Sequence, residues 1–338
     1  MAMGHFNSRT NTVDYERGGL QKASYNDNEV IRRECPFCGS MEYTPIHIER
    51  GAVGVVKCKN CRLIYTNPMV KEAEKNYWGD EKKYFYEARL IFKGLLGHHR
   101  DRNYLEDLKK IEAFRPAGNF LDIGTNMGFF LRHTRGKNWK VFGIEPSPAL
   151  SEIARKYFHL NVKNTYLDDG NFQDNFFDVI TMTDVFEHIS EPKKILSQIK
   201  KVLKDDGILF IKVPNGHYNL LKLWIAKMTG RAKDYDLFDS YEHLVHYSHQ
   251  TLKKMLEASG FIIKKVFIGK PIHPPVWHKY VGQYYQYASP WTLDAKNYIL
   301  RALFYQIAKI EFMLRFGRIG YFAPNISVIA VKNLEGRK

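Results

Sequence analysis

Three groups of residues carry types and spacings that could do chemistry. The first is the cysteines, which fall in a single block as Cys35-Pro-Phe-Cys38 and Cys58-Lys-Asn-Cys61, with 19 residues between the two CxxC pairs. Each CxxC turn can aim two sulfurs at one centre, so the pattern reads as a four-thiolate zinc ribbon; two redox pairs are the competing reading. Four sulfur ligands leave no open position for a substrate, so a metal there is structural. The second group is Asp122-Ile-Gly124-Thr-Asn126-Met-Gly128, followed twenty-one residues after Gly124 by Glu145. A glycine-bearing turn after a strand lets a ligand approach the backbone, and an acid at this distance can accept the two hydroxyls of a ribose. Asp122 stands at the end of the preceding strand, where it could meet a cationic ligand group. The third group is two Glu-His pairs, Glu187-His188 and Glu242-His243. A histidine with an ordinary pKa near ~6.5 is the natural proton acceptor at neutral pH. For Glu187-His188 a structural turn is the alternative, and His246 reads as a packing residue.

The elements that must hold these groups are legible in the periodicity. Phe120–Ile123, Lys140–Ile144, Phe177–Thr183 and Ile208–Val213 are apolar strands, and Pro148–Phe158 and 192–204 read as amphipathic helices between them. Alternation of this kind predicts a doubly wound α/β sheet. A helix is expected to follow the glycine loop, with its N-terminus facing the ligand. Ser248 is placed to cap a helix over 250–259 that Gly260 stops, and Phe261–Ile268 and Ile326–Val331 complete the strands. The organisation predicted is a loose leader (1–30), a zinc ribbon (31–70), a helical spacer (71–114) bearing Tyr84, Phe85 and Tyr86, and a catalytic domain (115–334). That domain carries insertions at 216–240 and 271–324 which hold Trp224, Trp277 and Trp291.

In this order, LDIGTNMGFFL, VFGIEPSPAL, FDVITMTDVFEHISEP and LKDDGILFIKVPN resemble class I S-adenosylmethionine-dependent methyltransferases. The resemblance covers about 117–270. It implies a Rossmann-like seven-stranded sheet with its last strand antiparallel, and S-adenosylmethionine as cofactor. It places Asp122, Gly124, Asn126 and Gly128 at the methionine end and Glu145 on the ribose. Leu167, within Thr165–Asp169, falls beside the adenine, and Asp184 follows the fourth strand. Asn126 departs from the pattern by standing where glycine is common, although asparagine tolerates a left-handed backbone. An NAD-type Rossmann site is the rival, but a GxGxxG is lacking. The cysteine module, the tyrosine-bearing spacer and EHLVHYSHQTLKKMLEASGF are similar to zinc-ribbon sugar C-methyltransferases and to related methyltransferases of surface-polysaccharide and secondary-metabolite pathways. That likeness implies His243 as general base, assisted by Glu242, with His188 the second candidate. The tyrosine of that pattern is shifted: Ser240 occupies its place and Tyr241 comes next.

The chain of 338 residues carries 51 Lys+Arg against 36 Asp+Glu, a formal charge of +15. The excess is spread over every segment after the acidic residues 1–30, and no five basic residues run together, which disfavours a nucleic-acid groove and suits a small anionic acceptor. Hydrophobic content of 44% suffices for a core and excludes a disordered chain. The N-terminal stretch lacks an apolar signal core, so a cytoplasmic location is expected. The expected acceptor is a nucleotide-linked or otherwise anionic sugar, methylated on oxygen or carbon. Alternatives are a quinone or polyprenyl lipid reached by peripheral membrane contact through the aromatic, basic insertion, an RNA base, and a non-catalytic scaffold. Oligomeric state is left open.

Overall fold

The computed structural model describes residues 6–7, 12–13, 24–71, 73, 88–89, 91–94, 98, 100–170, 172–232, 236–269 and 293–334. Most of the expected leader, the tyrosine cluster at 84–86, and Trp277 and Trp291 of the second insertion lie outside them.

The main sheet has seven strands. In sequence order they are β6 (Gly118–Ile123), β7 (Trp139–Ile144), β8 (Val162–Lys163), β9 (Phe177–Thr183), β10 (Leu203–Pro214), β12 (Phe261–Ile268) and β13 (Asn325–Lys332). Their spatial order is β8-β7-β6-β9-β10-β13-β12, with β13 antiparallel to both neighbours and the other pairs parallel. The apolar runs explain the placement. Leu121, Ile180 and Ile211 pack into one core cluster and Phe120, Val179 and Phe210 into another, so the central strands are buried on both faces. The order reverses between β6 and β9, and the loops that follow these strands form the crevice where ligands bind in such sheets.

Helices cover the faces where their caps allow. Ser147 accepts a hydrogen bond from Leu150 N at 3.3 Å and opens α2 (Pro148–Phe158), with Pro148 in the first turn. Ser248 and Thr251 form a reciprocal capping box for α5 (His249–Ala258), which stops before Gly260 at φ 81°. Two expectations are corrected. The glycine loop leads into a single 3-10 turn, Leu131–Thr134, rather than an α-helix, because Asn126 (φ 52°), Gly128 (φ 83°) and Gly136 (φ 70°) break the run. The strand expected at 208–213 starts at Leu203, which pairs with Phe177 before a register shift, so the helix expected over 192–204 is α3 (Pro192–Val202).

The cysteine module is a smaller sheet that takes a strand from the catalytic half. β2 (Tyr43–Glu49), β3 (Val53–Cys58) and β4 (Ile64–Thr66) are antiparallel neighbours, and β11 (Val245–His246) pairs with β4. The first insertion contributes α4 (Gly216–Met228) and the second α6 (Leu293–Leu314). Among the described residues, no helix is long and apolar enough to cross a membrane.

Candidate active site

Gly124 sits at φ 69°, and a Cβ there would stand 2.6 Å from Val185 Cγ2, so both backbone and space require glycine. Its N–H and that of Thr125 donate to Ile144 O at 2.9 and 3.0 Å, folding the loop over the end of β7. Asn126, left-handed at φ 52°, then donates its N–H to Glu145 Oε2 at 2.8 Å, while Ser147 N donates to Glu145 Oε1 at 2.9 Å. The carboxylate is therefore fixed by two backbone donors with lone pairs to spare. Glu145 is 3% exposed, and burial pushes its pKa up against those bonds.

A cavity of about 380 Å³ opens beside it, within the range of small-molecule sites. Ile144, Pro146, Leu167, Ile189 and Ile195 give it apolar walls suited to a flat ring, and Gly124, Glu145, Asp184 and His188 also line it. Asp122, Asn126 and Gly128 are not among the residues that line it. Asp122 is buried and accepts from Thr181 Oγ1 at 2.6 Å; burial, against bonds from Thr181 and Thr125, carries its pKa up to about 7. A Cβ on Gly128 would meet Leu160 Cδ1 at 2.3 Å, which marks it as a packing glycine.

At the Asp184 end the two Glu-His pairs converge. The His188 and His243 rings lie 4.7 Å apart between centroids, edge to face. His188 Nδ1 is 3.0 Å from Glu242 O, and His243 Nδ1 is 3.2 Å from Phe238 O. A carbonyl only accepts, so each Nδ1 carries the proton and each Nε2 keeps its lone pair. Burial, reinforced by His243, lowers His188 to about 3, and burial lowers His243 to about 4, so both rings are neutral at pH 7. Glu242 thus meets the site through its backbone carbonyl. Glu187 is 2% exposed, and neither carboxylate oxygen has a hydrogen-bond partner among the described residues. Burial, then the neighbouring Asp184, pushes its pKa well up. Asp184, left-handed at φ 55°, is ion-paired with Arg100; burial raises its pKa, but Arg100 and then Lys212 outweigh this and hold it below the usual range. His246 is buried against Phe238, in keeping with a packing role.

Sequence reasoning missed what supports His243. Glu49, on β2 of the cysteine module and 3% exposed, accepts from Phe238 N (2.8 Å), Ser240 N (2.9 Å) and Ser240 Oγ (2.7 Å). Thr66 Oγ1 donates to His243 O at 2.6 Å, and Arg50 Cζ lies 3.6 Å over the Tyr241 ring. Arg33 Nη2 donates to Ser190 O at 2.6 Å, joining the module to the cavity wall. No local pattern announces partners some 180 residues apart, although a lone glutamate among the apolar residues of β2 and β3 is a hint.

The four cysteines gather with their sulfurs within 4.8 Å of one another. The shortest approaches, Cys35–Cys61 at 3.4 Å and Cys38–Cys58 at 3.5 Å, run between the CxxC motifs rather than within them. That cross-pairing describes one four-sulfur centre, close to the ~3.8 Å edges of a tetrahedron with ~2.3 Å zinc–sulfur bonds. The Cys35 thiol is lowered to about 5, chiefly by Cys61, whose own thiol is pushed up: clustered thiols cannot all ionise without a cation among them.

A doubly wound sheet of this order, with an acid on the second strand facing a glycine turn, defines the class I S-adenosylmethionine-dependent methyltransferase fold. The comparisons agree: the methyltransferase domain family matches residues 96–266, half of the chain, and the chain belongs to that family. Among curated relatives, a ubiquinone biosynthesis O-methyltransferase of Pasteurella multocida is 25% identical over 166 residues, 42% of this chain and 67% of that protein. Phosphoethanolamine N-methyltransferase 2 of Caenorhabditis elegans is 32% identical over 114 residues, 32% of this chain and 26% of that protein. The matches therefore span between 26% and 67% of these relatives' own lengths. Among solved structures, a putative methyltransferase in complex with the Haloferax volcanii Trm112 activator is similar at TM-score 0.46 and 18% identity, covering 75% of this chain and 97% of that one.

Proposed function

We propose that this protein transfers the methyl group of S-adenosylmethionine to a hydroxyl of a small anionic acceptor, with a nucleotide-linked sugar as the leading class. The observation that carries the reading is a facing pair of neutral imidazoles: His188 lines the cavity that Glu145 and Gly124 also line, and His243, outside that lining, packs edge to face against it. When bound, the cofactor supplies a methyl group on a positively charged sulfur. Glu145 lines the cavity and keeps acceptor capacity beyond its two backbone bonds for the ribose hydroxyls, and Leu167 and Ile189 give the adenine an apolar slot. His188 and His243 receive the acceptor's reactive hydroxyl on their Nε2 atoms, and in the simplest form His243 takes its proton. The formal charge of +15 favours an anionic partner in general.

Cys35, Cys38, Cys58 and Cys61 hold a structural zinc ion in this reading. Its task is to keep the module in shape, so that Glu49 and Thr66 hold the His243 loop.

A quinol or polyprenyl acceptor at a membrane surface is the second reading. It is supported by the exposed apolar residues Met313 (69%), Leu314 (74%) and Phe316 (96%) at the end of α6. Incubating the protein with methyl-labelled cofactor and separate panels of nucleotide sugars and quinols tests both. Label in an O-methyl sugar supports the first reading, and label confined to quinols replaces it with the second. Label on nitrogen, carbon or RNA in place of either overturns the hydroxyl assignment.

A further inference from the structure

Glu187 stands out as a carboxylate in the wrong company. It is 2% exposed, and both of its oxygens lack hydrogen-bond partners among the described residues. A buried carboxylate without donors is strongly disfavoured, so such groups are normally protonated, paired or coordinated. Phe186 and Tyr247, stacked at 4.9 Å beside it, offer packing, yet the Tyr247 hydroxyl is itself without a partner among the described residues. A group left this way at an active site points to something that arrives.

What lies in front of it is chemically specific. One ligand atom each of Glu187, His188 and His243 lies within 4.8 Å of the other two. Octahedral ligands at ~2.1 Å from an ion stand ~3 Å apart at right angles and ~4.2 Å apart across it, so slight side-chain motion closes the set. Both histidines are pre-set for ligation. Their Nδ1–H groups are spent on the carbonyls of Glu242 and Phe238, the outer-shell hydrogen bond that turns an imidazole lone pair towards a metal. Two imidazoles and one carboxylate on one side of an ion leave the remaining positions open for substrate.

We propose that Glu187, His188 and His243 bind a divalent first-row metal ion beside the cofactor cavity, where His188 forms part of the wall, and that the acceptor hydroxyl coordinates to that ion. The proposal rests on the methyl-transfer reading and deepens it. It converts the two imidazoles from proton acceptors into ligands and names the acceptor class as one with an oxygen able to enter a metal's coordination shell. Coordination lowers the hydroxyl's pKa, and its proton leaves to water. The oxygen then forms the O–CH3 bond as the donor's S–CH3 bond breaks, and the bonding pair stays on sulfur. A vicinal diol or catechol, able to chelate, fits such a centre best.

This ion is distinct from the one assigned to the cysteines. Four thiolates select zinc, whereas Mn²⁺ is the weakest of the first-row series and does not displace it. Mn²⁺ is therefore the probe. The full chain carrying one equivalent of Zn²⁺, which the four thiolates take, and freed of excess zinc is titrated with Mn²⁺, free ion being followed by its electron paramagnetic resonance signal, and S-adenosylmethionine binding is measured separately by calorimetry. The expectation is one saturable Mn²⁺ site of ~10–500 µM in wild type, at least ~10-fold weaker in Glu187→Gln and in His243→Ala, with cofactor affinity within ~3-fold in both variants. Cofactor binding without a saturable Mn²⁺ site, or with a site indifferent to both substitutions, overturns the metal proposal and leaves methyl transfer standing. Loss of cofactor binding in wild type overturns the methyl-transfer reading itself, and with it the proposal built on it.

Discussion

Asp122 shows how one residue's surroundings turn a motif into a measurable property. It is 3% exposed, and burial, opposed by hydrogen bonds from Thr181 and Thr125, takes its pKa up to about 7. An unfolded Asp titrates near ~3.9, so between these values the unfolded chain releases a proton that the native state keeps. The native state binds more protons in this window, and the contribution to stability is full below ~4 and lost as pH rises through about 7. Thermal denaturation of the apoprotein should show wild type losing up to roughly 4 kcal/mol relative to Asp122→Asn between pH 4 and 8. Equal pH dependence in the two proteins would contradict the buried, protonated carboxyl. Much of the residue scale was readable beforehand. The cysteines, Gly124 and Glu145 announce themselves by type and spacing, as does His243 by its neighbourhood. Glu187 was visible as half of a Glu-His pair, but its lack of hydrogen-bond partners among the described residues is a fact of three-dimensional packing.

At the scale of elements, the loop 236–243 between α4 and β11 is where the two sheets meet. Glu49 accepts three hydrogen bonds from it, Arg50 Nε pairs with Asp236 at 2.6 Å, and β11 extends the cysteine module's sheet by pairing with β4. Hydrogen bonds to a charged acceptor contribute about 1.5–3 kcal/mol each, and an amide presents an N–H₂ where these donors need an oxygen. Glu49→Gln should therefore release the His243 loop, lowering kcat by roughly 10-fold or more while S-adenosylmethionine affinity changes less than ~3-fold. An unchanged kcat, measured on protein of normal melting temperature, would remove the module from the acceptor site. Apolar periodicity placed six of the seven strands of the main sheet because their buried runs write themselves into the sequence, and it missed the two-residue edge strand β8 (Val162–Lys163), too short to show a period. The same reasoning extended a helix past the glycine loop, where Asn126 and Gly128 each adopt positive φ and stop it. It could not see the seam between the sheets, since contacts such as Glu49 to Ser240 leave no periodic trace.

Across the whole molecule, the cysteine centre and the cofactor cavity become parts of one device. The module does not hang from the catalytic domain: Arg33 reaches Ser190 at the cavity wall, and Thr66 holds the His243 carbonyl. Metal binding supplies the folding energy of such small modules, so, on the zinc assignment proposed above, stripping the metal should unfold the four-cysteine region and take the His243 loop with it. Turnover is then expected to fall below ~10% of the loaded protein, while the seven-stranded sheet keeps its cofactor affinity within ~3-fold. Zinc-free protein with full turnover would leave the module a bystander. The formal charge of +15, which first suggests nucleic acid, is distributed over the chain and bears on the acceptor only as a general preference for anions.

The central claim is that Glu145, held by the Asn126 and Ser147 amides, is the anchor of an S-adenosylmethionine site. Calorimetric titration of wild type and Glu145→Ala with S-adenosylmethionine tests it most directly. Two hydrogen bonds to a charged carboxylate are at stake, so the account predicts one micromolar site in wild type that weakens about 10- to 100-fold in the variant. Absence of binding in wild type, or equal affinity in the two proteins, would contradict it.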